Sequence, residues 1–231
     1  MAESAAPKEW NDIWASLCYQ YTTYSATYAA FPHIVGMASQ LAIGERMDHI
    51  KFLGIVSAYE RKTRIDAKIE AAYRSSIPKA FKMAFDEIKS PELDFPAAVS
   101  LIQAVAGLNG CSLGRVIEGF AHGEFSALCP GCSLELFIWP SNEGYRVHIE
   151  DPIVNRKAEY TLVTPAKPTP VLKRCTRPKI RDDNPLAWIP ALARDARQPK
   201  IGDLANALLG TGICPKCERK FDVQKEVTKH S

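Results

Sequence analysis

Cys129-Pro130-Gly131-Cys132 and Cys214-Pro215-Lys216-Cys217 are two short motifs that organise the C-terminal half of this 231-residue chain. In both motifs two residues separate the cysteines, and a proline directly follows the first cysteine. This spacing lets both thiolates of a pair face one ion, and four thiolates form the closed tetrahedral shell of a structural zinc site. Because the proline placement repeats, two unrelated thiol pairs are the weaker explanation. We therefore predict one structural zinc ion, Zn2+, bound by Cys129, Cys132, Cys214 and Cys217.

The distance between the two pairs constrains the fold. Eighty-one residues, 133–213, lie between them, whereas compact zinc sites have about 15–20. The intervening chain is therefore expected to fold as a lobe whose two ends meet at the metal. A redox pair is the alternative, but the pattern lacks the order of strand, C-x-x-C and helix that is typical of thioredoxin-like proteins.

The remaining cysteines and one histidine are weaker candidates for chemistry. Cys18 continues an apolar helix face, and Cys111 is likewise expected to be a bystander, as buried thiols are common in cores. Cys175 lies among basic residues that favour a thiolate, so a reactive thiol is the alternative to an ordinary surface residue. His122 precedes Cys129 by seven residues and is an alternative ligand or a surface histidine.

The N-terminal half shows helical spacing of its apolar residues. One face of the first helix holds four of them at i, i+3, i+4 and i+7: Trp10, Ile13, Trp14 and Leu17. Further helices are predicted over residues 26–40, from about 45 into 60–70, around 77–88 and over 95–108. Successive amphipathic helices with short links are typical of stacked antiparallel pairs. The predicted fold class is thus mainly α, with an α-solenoid-like helical array over residues 1–120.

The pattern changes near residue 121. Short apolar runs over 125–128, 134–139 and 145–149 predict strands, and Ser141–Gly144 predicts the hairpin loop between the last two. Two short helices are expected over 185–194 and 201–209, before the second cysteine pair. Residues 121–231 are therefore predicted to form a small α+β zinc-binding lobe, with an insert between the two C-P-x-C pairs.

Composition and motifs exclude several classes of function. No apolar run approaches the roughly 20 residues of a membrane-spanning helix, and the N-terminus lacks the features of a secretory signal. We expect a cytoplasmic protein with no membrane partner. The sequence contains no phosphate-binding, dinucleotide-binding, zinc-protease or serine-hydrolase motif. A four-cysteine site also leaves no open position for an activated water, so we do not expect an enzyme.

A basic stretch is the candidate for partner binding. Its charged residues stand between prolines: Lys173, Arg174, Arg177, Lys179 and Arg181. The stretch lacks the interleaved aromatic residues of single-strand binders, and a net charge of only +3 is small for a dedicated nucleic-acid binder. An acidic protein partner or a solvated loop explains the stretch at least as well as contact with phosphates.

Two segments resemble a known family. Residues 10–20 and 24–35 are similar to the opening of bacterial HEAT-like helical-repeat proteins of the toxin-immunity type. The matching residues are Trp14, Leu17, Gln20, Tyr24, Ala26, Ala29, Ala30, Pro32, Ile34 and Val35. Residues 119–132 look like a zinc-knuckle segment in some of these proteins. The resemblance implies a HEAT-like array followed by a zinc-knuckle lobe, and it implies an immunity function.

These observations favour a cytoplasmic binding protein. The leading interpretation is an immunity protein that neutralises a cognate bacterial toxin by direct binding, with the toxin or another protein as its partner. The alternative is a zinc-ribbon nucleic-acid-binding protein, which the paired C-P-x-C motifs and the basic stretch favour and the small net charge disfavours.

Overall fold

A computed structural model describes residues 8–19, 22–59, 65–90, 93–167 and 185–229. These residues form two compact units. The first comprises the described residues of Met1–Glu92 with Ser100–Gly114, and the second those of Leu93–Val99 with Arg115–Ser231. The domain boundary predicted after residue 120 stays a prediction. Within the described ranges, no helix is both long enough and apolar enough to cross a membrane.

Helices dominate the first unit. They are α1 (Lys8–Leu17), α2 (Ser25–Ala38), α3 (Met47–Ala58), α4 (Ala67–Glu87) and the C-terminal part of α5 (Phe95–Leu108), with the two-residue strands β1 (Cys18–Tyr19) and β2 (Thr22–Thr23) between α1 and α2. The single helix predicted from residue 45 into 60–70 is wrong, because α3 ends at Ala58 and α4 begins at Ala67. Asp66 caps that start by accepting a 2.8 Å hydrogen bond from the backbone N–H of Lys68, the role for which aspartate is favoured.

Aromatic side chains fill the core of the first unit. Tyr73 of α4 meets Tyr28 and Phe31 of α2 edge to face, at centroid distances of 5.1 and 4.8 Å. Trp10 of α1 stacks on His49 of α3 at 4.2 Å. Such ring pairs stabilise packing beyond the area they bury, so they hold α1 against α3 and α2 against α4.

Two glycines bring α3 and α5 into close contact. A Cβ at Gly54 would lie 2.3 Å from the Cα of Ala104, and one at Gly107 would lie 2.3 Å from the carbonyl oxygen of Gly54. Only glycine fits such an approach of two backbones. About half of the described residues are helical, and a small antiparallel sheet accompanies them. These helix contacts do not establish the finer prediction of a solenoid-like array.

The second unit combines a sheet with short helices. Its elements are the start of α5, α6 (Gly119–His122), β3 (Phe125–Leu128), β4 (Glu135–Ser141), β5 (Gly144–His148), β6 (Tyr160–Leu162), α7 (Pro185–Asp195), α8 (Pro199–Leu208), β7 (Thr211–Ile213), β8 (Lys220–Asp222) and α9 (Val223–Thr228). Strands β3 to β6 form one antiparallel sheet in chain order, and β7 pairs with β8. The predicted strands at 125–128, 134–139 and 145–149 are confirmed to within two residues. Their side chains alternate between buried and more exposed positions, as those of a half-buried strand do.

Contacts between β6 and β7 tie the end of the long insert to the four-stranded sheet. The backbones of Thr164 and Thr211 exchange two hydrogen bonds of 2.9 Å. The Thr161 hydroxyl donates to the carbonyl oxygen of Ile213. The β7–β8 hairpin therefore lies beside β6, and the second cysteine pair returns to the sheet that carries the first.

We expect substitution Arg46→Ala to destabilise the first unit strongly. Arg46 donates from Nε to Oε1 of Glu87 at 2.6 Å, and the backbone N–H of Gly44 donates to Oε2 at 3.0 Å. The Glu87 side chain is 0% exposed. Removing one partner of a buried pair leaves an uncompensated charge, which costs roughly 3–5 kcal/mol.

The control is Lys82→Ala, which breaks an ion pair of the same 2.6 Å length to Asp86 on the surface. An exposed pair contributes less than about 1 kcal/mol. Urea denaturation followed by circular dichroism measures both changes. Equal losses for the two variants would contradict the assigned difference in burial.

Candidate metal centre

Each cysteine pair forms the loop of a β-hairpin. Leu128 of β3 pairs with Glu135 of β4, and the first pair lies in the turn between them. Ile213 of β7 pairs with Lys220 of β8 around the second pair. The strands fix both ends of each loop, so two hairpin tips present the four thiols.

The two tips share one backbone geometry. The N–H of Ser133 donates to the carbonyl of Cys129 at 2.9 Å, and the N–H of Glu218 donates to the carbonyl of Cys214 at 2.9 Å. In return the N–H groups of Cys129 and Cys214 donate across their turns at 2.8 and 3.0 Å, to the carbonyls of Leu134 and Arg219 respectively. The same turn is therefore built twice from different sequences.

The residue after the second cysteine of each pair is left-handed. Ser133 and Glu218 both have φ of 57°, a region that non-glycine residues rarely occupy. This conformation reverses the chain so that it enters the following strand. The sequence does not indicate either turn, because a glycine would have signalled it and neither position carries one.

The sulfur positions match a tetrahedral site. All four Sγ atoms lie within 4.8 Å of one another, with Cys129 3.6 Å from Cys217 and Cys132 3.8 Å from Cys214. Four bonds of about 2.3 Å at tetrahedral angles place sulfurs about 3.8 Å apart. A disulfide would need about 2.05 Å, so these cysteines are not disulfide-bonded. Cys129, Cys132, Cys214 and Cys217 can hold a metal ion.

Burial divides each pair in the same way. The first cysteines, Cys129 and Cys214, are buried, and the second, Cys132 and Cys217, are exposed. The N–H of Gly131 points at the Sγ of Cys129 at 3.4 Å. A Cβ at Gly131 would approach the Sγ of Cys217 to 3.3 Å, so this position favours glycine for space next to the sulfurs.

Hydrogen bonds and burial shift the pKa values of the two buried thiols in opposite directions. Burial acts to raise the pKa of Cys129, but hydrogen bonds from the backbone N–H groups of Cys132 and Gly131 and from two neighbouring thiols outweigh it and lower this pKa to about 7. Burial raises the pKa of Cys214 to about 12. Hydrogen bonds from the backbone N–H groups of Cys217 and Lys216 act to lower this pKa, and hydrogen bonds with neighbouring thiols act to raise it. Four thiolates this close repel one another, and a divalent cation offsets that repulsion.

The structure brings together the four cysteines that the spacing predicted as ligands, and among the described residues they are the cluster suited to a metal. Cys18 and Cys111 are buried, belong to the first unit, and are not members of this cluster. The predicted partner-binding residues Lys173, Arg174, Arg177, Lys179 and Arg181 lie outside the described residues. So do Cys175 and the side chain of His122.

Comparison of the chain with known protein families, with curated proteins and with solved structures finds no match.

Substitution Glu218→Gly is expected to stabilise the protein. A left-handed non-glycine residue costs roughly 1–2 kcal/mol, and glycine loses roughly 0.5–1 kcal/mol more backbone entropy on folding. The net gain should be roughly 0.5–1 kcal/mol, and Ser133→Gly should behave in the same way. Chemical denaturation of the metal-loaded protein measures the change. Ser126→Gly, in the extended strand β3, is the control and should destabilise; the same sign for all three variants would disprove the backbone explanation.

Proposed function

We propose that the protein is a zinc-stabilised binding protein, and that it is an immunity protein which neutralises a cognate bacterial toxin by direct binding. The observation that carries the zinc assignment is the cluster of four thiols at tetrahedral spacing. Soft thiolate donors in a tetrahedral set select zinc or iron. Zinc is favoured for a site without redox work, because it has one stable oxidation state.

A structural role for the metal is supported by its shell. Four cysteines fill all four positions of a tetrahedral zinc ion, so no position is left for a substrate or an activated water. The ion would join the tip of the β3–β4 hairpin to the tip of the β7–β8 hairpin. Such a join contributes to folding of the second unit and gives it a rigid surface, which lowers the ordering cost of binding.

The toxin-immunity assignment is supported by the resemblance of residues 10–35 to HEAT-like immunity proteins. Of the residues that match, Ile34 and Val35 of α2 are buried, which agrees with a role in helix packing. Tyr24, Ala26 and Ala29 are exposed. The resemblance therefore supports the class of protein, while the surface that would meet a toxin has to be found separately.

A zinc-ribbon nucleic-acid-binding protein is the second candidate. It is supported by the two cysteine hairpins and by the exposed basic residues Lys216, Arg219 and Lys220 of the second hairpin. It is disfavoured by the net charge of +3, which is small for a protein that must neutralise several phosphates.

The purified protein should contain about one zinc ion and no iron, as one four-thiolate site requires. Cys132→Ser and Cys217→Ser change exposed thiols and leave no hole in the core, so any loss of stability reports on the metal. Both variants should lose zinc and lose hydrogen-exchange protection chiefly in the second unit, since metal binding is part of its folding free energy.

Cys18→Ser is the control for these variants and should keep its zinc. Elemental analysis by plasma mass spectrometry gives the metal content. Reduced, intact wild-type protein without bound metal would refute the zinc assignment.

The toxin assignment predicts rescue of growth when the protein is co-expressed with the toxin whose gene lies beside its own. The double substitution Arg174→Glu with Arg177→Glu should slow association with that toxin and weaken its salt dependence, because charges steer encounter. Lys68→Glu with Lys89→Glu, two exposed residues of the first unit, is the control. Surface plasmon resonance at two salt concentrations measures both.

A generic DNA duplex tested beside the toxin separates the two candidate functions. Tight duplex binding by the wild type at physiological salt, without rescue from any neighbouring toxin, would favour the nucleic-acid candidate instead.

A further inference from the structure

The outer face of the four-stranded sheet carries aromatic side chains that pack no core. In β4, Leu136 and Ile138 are fully buried beneath the sheet. Phe137 and Trp139 alternate with them and are partly exposed on the opposite face, as the two-residue period of a strand requires. Partly exposed aromatic rings on a sheet are a typical starting point for a binding surface.

A cleft opens on this outer face at the side of β3 and β4. Its volume is about 340 Å³, at the lower end of the roughly 300–1,000 Å³ of ligand pockets, so it has room for one long side chain. Two rings and three carboxylates line it: Phe137, Trp139, Glu124, Glu135 and Asp151.

The carboxylates of the cleft have no cationic partner within the described residues. Glu124, Glu135 and Asp151 form no ion pair there, although other acidic residues of the same unit do. Arg146 lies on the same face, opposite Trp139, but its guanidinium is engaged 3.4 Å from Glu143 and 4.2 Å from the centre of the Tyr160 ring. Among the residues that the structure describes, the negative charge of the cleft is therefore uncompensated.

Rings and carboxylates together recognise cations. The face of an indole or phenyl ring attracts a cation, and carboxylates bind a guanidinium through short, charge-assisted hydrogen bonds. Arginine suits both groups, since its planar guanidinium stacks on rings and pairs with carboxylates. A phosphate would meet repulsion from Glu124 and Glu135 in the same space.

An apolar turn next to the cleft indicates a protein as the ligand. Ile153 and Val154 are 67% and 84% exposed, and Pro152 alone separates them from Asp151 of the cleft. Asp151 holds this turn in place, because its carboxylate accepts from the N–H of Ile153 at 2.8 Å and its carbonyl accepts from that of Val154 at 3.0 Å. An ordered apolar pair beside a polar cleft is typical of a protein–protein contact surface.

We propose that the cleft and the apolar turn form a docking site for a basic segment of a protein partner. An arginine side chain of that segment enters the cleft, between the rings and the carboxylates, and an apolar neighbour rests on Ile153 and Val154. The inference deepens the proposed function, on which it rests for the existence of a protein partner, by naming the binding surface and the chemistry of the partner.

A peptide titration on the full zinc-loaded chain tests the docking site. The probe is the acetylated, amidated peptide GRGRGL, and its uncharged analogue with citrulline in place of arginine is the ligand control. In nitrogen–proton correlation spectra, GRGRGL should shift the indole N–H of Trp139 and the backbone N–H groups of Ile153 and Val154, and the citrulline peptide should not. A Trp139→Phe variant assigns the indole signal.

Matched variants test whether the carboxylates act locally. Glu124→Gln with Glu135→Gln should weaken GRGRGL binding roughly tenfold, the equivalent of about 1.4 kcal/mol. Glu159→Gln with Asp203→Asn removes the same charge from exposed residues that do not line the cleft, and should weaken binding by about twofold at most, because salt screens distant charges. Equal weakening by both pairs, or an unshifted Trp139 indole, would overturn the proposal.

Loss of the two carboxylates should change the binding of an oligonucleotide in the opposite direction to the binding of the peptide. If the rings instead served single-stranded nucleic acid, a ten-residue oligo(dT) would shift Trp139, and removing the two carboxylates would strengthen its binding. That result, with no peptide binding, would also overturn the proposal. Toxin rescue is measured independently of peptide binding. Peptide binding without rescue would overturn the immunity assignment and leave the docking site. Rescue without peptide binding would overturn the docking site and leave the immunity assignment.

Discussion

The convergence of four thiols on one point is the constraint on which the second unit depends. Residues 133–213 separate the two cysteine pairs, and a cross-link across a loop of this length removes roughly 4–5 kcal/mol of unfolded-state entropy in the loop-closure account. The zinc ion that we propose would bind with roughly 10–16 kcal/mol, which exceeds the entropy cost of closing the loop. The bridge between Thr164 and Thr211 lowers the entropy cost of closing the loop, because it holds the hairpins together.

The sequence was sufficient to predict features that depend on a short motif or on the alternation of side chains along one strand. The C-P-x-C pairs identified the four thiols that cluster. The alternation of apolar and polar residues predicted the bounds of β3, β4 and β5 to within two residues. Prediction from the sequence failed where the residue type does not reveal the backbone conformation or the capping role of a residue. Ser133 and Glu218 take a left-handed backbone that a glycine would have signalled. Asp66 caps the start of α4, a role that its place in a charged stretch did not reveal.

The outer-face cleft illustrates a further limit of sequence patterns. Alternation in β4 already assigned Phe137 and Trp139 to one face, but Glu124 and Asp151 come from outside that strand. Only the register of β3 on β4 and the course of the turn after β5 bring these carboxylates to the same rings. The one-residue precision of that register comes from the buried residues beneath, since a slip would turn Leu136 and Ile138 outward.

The contact between Gly54 and Gly107 has a consequence for how the chain can change over time. A clash between two side chains can be relieved by shortening either of them, so most core positions have many neutral routes of substitution. Here backbone meets backbone, since a Cβ on either glycine would fall 2.3 Å from a main-chain atom, a clash that shortening a neighbouring side chain does not remove. We therefore expect these two positions to tolerate fewer substitutions than the larger residues around them, which would make them useful markers for recognising distant relatives.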